Sequence, residues 1–211
     1  MPNIHSLNSY HFDILKEVGN IGAGNAATAL SRLLLTKIDM NVPSVKLVPF
    51  SEISDIVGGA EVEMVAIFLR VEGEASGSMM FLTSIEDAEN LVSKLIQQPF
   101  NLHRESKEEL GISALHELGN ILAGSYLSAF SDFTQLSLVP TVPAVTIDMA
   151  GAIVNYAVLN ISQYSDYVIL VETEIIDVEA KQKPLSGQFF FIPDPKAFET
   201  IFTALGVTLN E

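Results

Sequence analysis

A polar pattern occurs twice in this chain, and the two copies lie one hundred residues apart. Each copy has an acid or serine, a glutamate four positions later, an asparagine three positions further on, and a proline 23 positions after the asparagine. The first copy is Asp13, Glu17, Asn20 and Pro43, and the second copy is Ser113, Glu117, Asn120 and Pro143. Self-similarity at a fixed long spacing indicates duplication of a whole structural unit. We therefore expect two equivalent polar sites, or one working site and one decayed site.

The elements predicted from hydrophobic periodicity have the same order in both halves. Each half is predicted to be an α-β-α-β-β-α unit, which begins with a long helix and has an extended segment interrupted by the proline. The expected fold is α/β (α+β), a single domain over residues 1–211 with repeat units at 9–100 and 106–205. Because one unit alone would leave sheet edges open, we expect the units to join their sheets about a pseudo-twofold axis, with the long helices packed on the β-sheet.

Composition narrows the class of protein. Of 211 residues 48% are hydrophobic, which is enough for a sizeable core. Acidic residues outnumber basic residues 26 to 11, for a net charge of −15, which would repel nucleic acids and anionic membrane surfaces. There is no cysteine, which excludes disulfides and thiolate catalysis. With no secretion signal and no apolar run near the roughly 20 residues of a membrane span, we expect a soluble cytoplasmic protein.

The helical geometry places the pattern on one face of each long helix. At about 100° per residue, the acid or serine, the glutamate, the asparagine and a following glycine, Gly24 or Gly124, fall within roughly 60° of one another. This face is expected to meet solvent. The residues predicted to point away from it in the first helix are Ile14, Val18, Ile21 and Ala29.

The paired glutamate and asparagine suggest a chemistry that needs neither a nucleophile nor a metal ligand. A carboxamide can both donate and accept hydrogen bonds while remaining neutral beside an anion. It can therefore hold a water in line with a phosphorus atom, as a glutamine does in GTPases. The glutamate would then serve as an anchor for a cation of the partner.

The pattern, present twice together with the segments GNIGAG and GNILAG, resembles the CheC family of chemotaxis phosphatases over essentially the whole chain. The two complete copies resemble the two-motif branch of that family, rather than the CheX branch with one motif per chain or the FliY branch with flanking segments. The resemblance implies hydrolysis of the aspartyl phosphate on the response regulator CheY, and a role in adaptation with the deamidase CheD.

The family's residue roles carry over by position. The resemblance implies that Asn20 and Asn120 orient water and that Glu17 and Glu117 contact an active-site lysine of CheY. It gives Asp13, Pro43, Ser113 and Pro143 supporting roles. It also implies that CheD is contacted near Asp148, Gly151 and Ala152. No cofactor of the chain's own is expected, because the Mg²⁺ of such a reaction belongs to the receiver domain of CheY.

Four other interpretations compete with this one. The segment Gly22–Ala27 matches a dinucleotide-binding G-x-G-x-x-A, but it is predicted to lie inside a helix rather than between a strand and a helix. The four histidines lack metal-ligand spacing, and the aromatic run Phe189–Phe191 is typical of a core strand. The serious alternative is a noncatalytic module that binds the receiver domain or sequesters CheD.

Overall fold

The computed structural model describes residues 9–102, 108–161, 167–180 and 183–206, so the expected start of the second unit at residue 106 lies outside the described residues. The predicted order of elements is confirmed in both units, and each extended segment forms two short strands. The first unit contains α1 (Ser9–Leu34), β1 (Ile38–Asn41), β2 (Val45–Pro49), α2 (Ile53–Ile56), β3 (Glu63–Gly73), β4 (Gly77–Ser84) and α3 (Ile85–Ile96). The second unit contains α4 (Glu108–Thr134), β5 (Leu138–Pro140), β6 (Ala144–Met149), α5 (Ala150–Ile161), β7 (Tyr167–Asp177), β8 (Leu185–Pro193) and α6 (Pro195–Ala204). None of the helices in these ranges has the length and apolar character needed to cross a bilayer.

All eight strands form one sheet in the order β1-β7-β8-β4-β3-β5, in which β2 also pairs with β7 and β6 with β3. Every pairing is antiparallel. The order is symmetric about the β8–β4 junction, which confirms the expected pseudo-twofold arrangement. Each unit sends its first two strands across to the hairpin of the other unit. The hairpin of each unit therefore has strands of the other unit at its outer edge.

The sheet is covered on both faces. The long helices α1 and α4 pack on one face together with α3 and α6, and the short helices α2 and α5 pack on the other. Along β3, Val65 and Ile67 face the long helices, whereas Met64 and Ala66 face the short ones. Burial on both faces explains why these strands are continuous apolar runs rather than alternating ones. In the aromatic run of β8, Phe189 and Phe190 are buried, which confirms the core interpretation.

The two long helices touch closely at Gly22. A Cβ atom built on Gly22 would lie 2.9 Å from the Cα of Tyr126, so only glycine permits this approach. Beside the contact, the hydroxyl of Tyr126 lies 3.1 Å from that of Thr173. Burial raises the pKa of Tyr126 to about 12, although the hydrogen bond with Thr173 acts in the opposite direction. This contact sets the relative position of the helices that carry the polar pattern.

The buried face predicted for the first helix is partly wrong. Val18 is buried, Ile14 and Ala29 are only half-buried, and Ile21 is 44% exposed. Helix geometry explains the error. Ile21 lies four positions after Glu17, and four steps of about 100° leave the two side chains only about 40° apart on the helix. The buried face instead runs through Leu15, Val18, Gly22, Ala23, Ala26, Ala27, Leu30 and Leu34.

Candidate functional site

The first polar site lies on α1 where the helix passes the loop between β1 and β2. We define site one as Asp13, Glu17, Asn20 and the loop 42–44. The side chains of Asp13 and Glu17 are exposed and that of Asn20 is half-buried. The pattern therefore faces solvent, as the helical geometry predicts, with the asparagine set deeper than the glutamate.

A backbone donor orients the carboxamide of Asn20. The N–H of Val42 donates a hydrogen bond to Oδ1 of Asn20, with an N···O distance of 2.9 Å. Because an N–H can only donate, the carboxamide atom that faces it must be the oxygen, and the NH₂ group points away from the loop. The next residue, Pro43, favours an extended backbone at Val42. This gives a physical reason for a proline at the end of the polar pattern.

Four further contacts hold the loop of site one. The ammonium of Lys16 donates to the carbonyl oxygen of Pro43 over 2.6 Å. The hydroxyl of Ser44 donates to the carboxylate of Glu172 on β7, and the N–H of Glu172 donates back to the carbonyl of Ser44 over 3.0 Å. Lys46 forms an ion pair with the same carboxylate at 3.1 Å. The loop is therefore attached both to α1 and to the sheet.

These contacts also set the charge state of Glu172. Burial raises the pKa of its carboxyl, but the hydrogen bonds from Ser44 and Lys46, together with the charge of Lys46, outweigh burial and leave the pKa below its usual value. The carboxylate is consequently ionised at neutral pH and accepts the Ser44 hydrogen bond in its stronger, charged form.

The second polar site lies on α4, and we define site two as Ser113, Glu117, Asn120 and the loop 142–144. All three side chains of the helix are exposed. Within the described residues, the carboxamide of Asn120 has no hydrogen bond. The loop also differs, because Val142 is 85% exposed whereas Val42 is 2% exposed. Pro143 is buried against α4, where a Cβ on Gly119 would lie 3.5 Å from the proline Cβ, whereas Pro43 is exposed.

The positions that hold the loop in site one carry different residues in site two. His116 stands one hundred residues after Lys16, and its Nδ1 is buried without a hydrogen-bond partner in the described part of the chain. Ala144 stands in the place of Ser44 and has no hydroxyl. The four positions of the pattern are thus repeated, with Ser113 in place of Asp13, but among the described residues the hydrogen bonds around them are not.

The helix surface beside each glutamate–asparagine pair is open. A Cβ atom added to Gly24 or to Gly124 would meet no atom within 4 Å. Neither glycine is therefore needed for packing inside the protein, although glycine destabilises a helix by about 1 kcal/mol relative to alanine. The open surface leaves room for a rigid partner to approach the pair.

The predicted CheD-contact residues lie at the junction of β6 and α5. Asp148 is exposed, and its Oδ1 accepts a hydrogen bond from the N–H of Met149 over 2.7 Å. The N–H of Gly151 donates to Ala60 over 2.9 Å, so the backbone there is fixed by the fold, and Ala152 is exposed. The exposed side chains of Met149 and Tyr156 extend this surface.

Chemically, each site offers a neutral carboxamide and a carboxylate on a helix surface. The carboxamide is a neutral donor and acceptor rather than a nucleophile, and the carboxylate can pair with a cation. Within the described ranges, no group of three or more histidine or acidic side chains could hold a metal ion. The arrangement is suited to orienting a water and a partner rather than to attacking a substrate directly.

Sequence reasoning missed Lys16, Val42, Ser44 and Glu172. Lys16 precedes the glutamate of the pattern and Ser44 follows its proline, so both are adjacent to a motif in the sequence. Nothing in the sequence, however, pairs them with their acceptors. Glu172 comes from the other repeat unit, and only the crossing of strands between the units brings it to Ser44.

Comparisons with known proteins agree with the fold and the pattern. A model of the CheC-like family matches residues 11–47 and 110–147, two segments that contain both copies of the pattern. The chain is 45% identical to the CheY-P phosphatase CheC of Bacillus subtilis (strain 168) over 210 residues, which cover 99% of this chain and all of that protein. The protein belongs to the CheC-like family.

Solved structures share the fold at lower identity. Thermotoga maritima FliY superposes with a TM-score of 0.75 at 19% identity, covering 95% of this chain and 98% of that one. A chain of the CheX-CheY-BeF3-Mg complex from Borrelia burgdorferi has a TM-score of 0.51 at 18% identity, covering 82% of this chain and 96% of that one. These matches confirm the predicted fold class.

Proposed function

We propose that this protein hydrolyses the aspartyl phosphate of the response regulator CheY and so terminates its signal. The observation that carries the proposal is the carboxamide of Asn20, whose oxygen is held by the Val42 N–H while its NH₂ group points away from the loop. The 45% identical relative is named a CheY-P phosphatase, which supports the same substrate. The protein is proposed to act in the cytoplasm, where CheY would meet it.

In the proposed reaction, Asn20 and Asn120 each position a water opposite the bond between phosphorus and the aspartyl oxygen. The water oxygen forms a new bond to phosphorus, the bond to the aspartyl oxygen breaks, and the carboxylate leaves with the bonding electrons. The proton lost by the water passes to the released phosphate or to solvent. A neutral carboxamide suits this role because a carboxylate would repel the phosphoryl oxygens.

Glu17 and Glu117 are proposed to anchor CheY through a lysine of its active site. Both carboxylates are exposed, and within the described residues neither is engaged in a hydrogen bond or ion pair, so each is available to a cation of the partner. Asp13, Ser113, Pro43 and Pro143 are proposed as supporting positions. The Mg²⁺ of the reaction is proposed to reside in the receiver domain of CheY, with no cofactor on this chain.

CheD is proposed as a second partner, bound at Asp148, Gly151 and Ala152, through which the protein would take part in adaptation. The support is the exposure of Asp148 and Ala152 beside the apolar side chains of Met149 and Tyr156. No binding to nucleic acid or insertion into membranes is proposed, because the net charge of −15 would repel polyanions. Substituting Met149 by Glu should weaken CheD binding in a titration while leaving CheY-P turnover in the absence of CheD unchanged.

The alternative is a noncatalytic module that binds the receiver domain or sequesters CheD. Binding alone does not require an oriented carboxamide beside each glutamate. The alternative predicts that removing both asparagines leaves the lifetime of phosphorylated CheY unchanged, whereas hydrolysis predicts that turnover falls while affinity is kept.

The test is to time phosphate loss from phosphorylated CheY with the wild-type protein, Asn20→Ala, Asn120→Ala and the double variant. Acceleration by the wild type that disappears only in the double variant, and not in either single variant, supports two working sites. Asn25→Ala is the matched control, because Asn25 is an exposed asparagine on α1 about 140° around the helix from Asn20. If the wild type gives no acceleration, with or without CheD, the binding-module alternative stands instead.

A further inference from the structure

The two sites are built on the same backbone register. In site one, Ile38 pairs with Asp177 and Val45 with Val171, and in site two, Leu138 pairs with Gly73 and Val145 with Ile67. Adding 100 to the residue numbers of β1 and β2, and subtracting 104 from those of their partner strand β7, converts both pairs of the first site into those of the second. The differences between the sites are therefore local to the loop and its contacts.

In site one, Lys16 closes a ring of contacts between the helix and the loop. Lys16 lies about one helical turn before Asn20, and its ammonium reaches the carbonyl of Pro43 at 2.6 Å. The adjacent residue Val42 carries the N–H that holds Asn20 at 2.9 Å. Because the two contacts join neighbouring loop residues to neighbouring turns of one helix, the Lys16 contact keeps the donor of Val42 within reach of the carboxamide.

Among the residues that the structure describes, site two has no counterpart of this ring. His116 has a shorter side chain than lysine and no ammonium group, and its buried Nδ1 has no partner within the described residues. Val142, which would have to present the N–H, is 85% exposed. Asn120 therefore lacks, within the described residues, the backbone hydrogen bond that orients Asn20, and we expect its ordering to cost more when a partner docks.

We propose that Lys16 is a positioning residue of site one, which orders the carboxamide of Asn20 before the substrate arrives by holding the Pro43 carbonyl. This inference rests on the proposed function, because the ordered carboxamide matters for hydrolysis only if Asn20 positions the attacking water. Lys16 itself does not touch the reacting atoms. Its effect should fall on the rate constant of the chemical step rather than on substrate affinity, and only in site one.

The kinetic test uses two single-site proteins, Asn120→Ala, in which site one works, and Asn20→Ala, in which site two works. In the Asn120→Ala protein, Lys16→Met should lower kcat for CheY-P hydrolysis about fivefold with little change in KM, the size expected from one hydrogen bond. Lys16→Arg should restore most of the loss, because it keeps a cationic donor. In the Asn20→Ala protein, Lys16→Met should cause no further loss, since site one no longer operates there.

The charge control is Lys37→Met in the Asn120→Ala protein. Lys37 is exposed and lies outside both sites, so this variant removes the same charge and should keep full kcat. The proposal is overturned if Lys16→Met leaves kcat unchanged in the Asn120→Ala protein. It is also overturned if Lys16→Met lowers kcat equally in both single-site proteins, because that outcome indicates a general loss of stability.

A spectroscopic measurement separates failure of this inference from failure of the proposed function. The side-chain NH₂ order parameter of Asn20 in the free protein should be high, that of Asn120 should be low, and Lys16→Met should lower only the first. An unchanged Asn20 value in Lys16→Met contradicts the positioning role whatever the activity. If Lys16→Met lowers the order parameter of Asn20 but the wild-type protein does not accelerate CheY-P hydrolysis, the ordering role of Lys16 is supported and the proposed function is rejected.

Discussion

Site one and site two repeat the same four-position pattern in the same strand register, with Asp13 in the first and Ser113 in the second, yet they hold their asparagines differently. In site one the loop is folded onto the helix, with Val42 buried and its N–H bonded to Asn20. In site two the equivalent valine is exposed and Asn120 has no hydrogen bond within the described residues. The repeated pattern is thus the same in both sites, whereas residues outside it, such as Lys16 and His116, make different contacts.

The valines of the two loops offer the sharpest test of this difference. Val42→Ala should lower the free energy of unfolding by about 2 kcal/mol, because it removes two buried methyl groups. Val142→Ala should change it by less than about 0.5 kcal/mol, since that side chain is 85% exposed. Urea unfolding of both variants measures the difference. Equal losses for the two would mean that the loops are packed alike in solution.

For alanine substitutions of the glycines directly before the asparagines, we expect the larger loss of stability in site two rather than in site one. A Cβ on Gly119 would lie 2.7 Å from Cγ2 of the buried Ile67, whereas a Cβ on Gly19 would lie 3.4 Å from Cγ2 of Val42. Overpacking at Gly119 should exceed the roughly 1 kcal/mol that alanine gains in a helix, for a net loss of about 1.5 kcal/mol in Gly119→Ala. Gly19→Ala should be neutral or slightly stabilising. Thermal unfolding of the pair checks the prediction, and a less stable Gly19→Ala would contradict it.

Most of the fold could be predicted from the chain, because its signals are local. Helical and strand periodicity predicted the order of the elements, although not the division of each extended segment into two strands, and the one-hundred-residue repeat predicted the pseudo-twofold arrangement. Helix geometry placed Glu17 correctly on the exposed face and also puts Ile21 beside it, but the prediction followed the apolar character of Ile21 instead and was wrong. Apolarity alone does not decide burial when a residue lies only about 40° from an exposed one.

The contacts that distinguish the two sites could not be predicted, because they join segments distant in sequence. Ser44 and its acceptor Glu172 are 128 residues apart and belong to different repeat units. Their meeting depends on the crossing of β2 to β7, and strand order is a long-range property that neither periodicity nor turn residues reveal. The pairing of Lys16 with a backbone carbonyl leaves no sequence trace at all, since every residue has a carbonyl.

Removing the Ser44 hydroxyl makes site one resemble site two at that position. Ser44→Ala should destabilise the protein by about 1 kcal/mol at pH 7, because a hydrogen bond to a carboxylate is lost. The pKa of Glu172 is lower in the folded state than in the unfolded state, so its contribution is present above the unfolded value near 4.3 and is lost as the pH falls through the folded value. The difference between Ser44→Ala and the wild type should therefore shrink below about pH 4.

Urea unfolding at pH 7, 5 and 3 measures this effect. Ser51→Ala, at an exposed serine, is the control and should differ little from the wild type at any of these pH values. A destabilisation by Ser44→Ala that is as large at pH 3 as at pH 7 would show that the hydroxyl acts without the charge of Glu172.

The glycines beside the two polar pairs test what the sites share rather than what separates them. Because a Cβ at Gly24 or Gly124 meets no atom within 4 Å, alanine at either position should raise the free energy of unfolding by somewhat less than 1 kcal/mol. If the open surface serves a docking partner, each variant should nevertheless bind CheY-P more weakly, since the added methyl group would separate two rigid surfaces. A stabilised protein with unchanged KM at both sites would remove the docking explanation for the glycines. A loss confined to the Gly124→Ala protein would mean that the partner approaches the two helices differently, despite their common register.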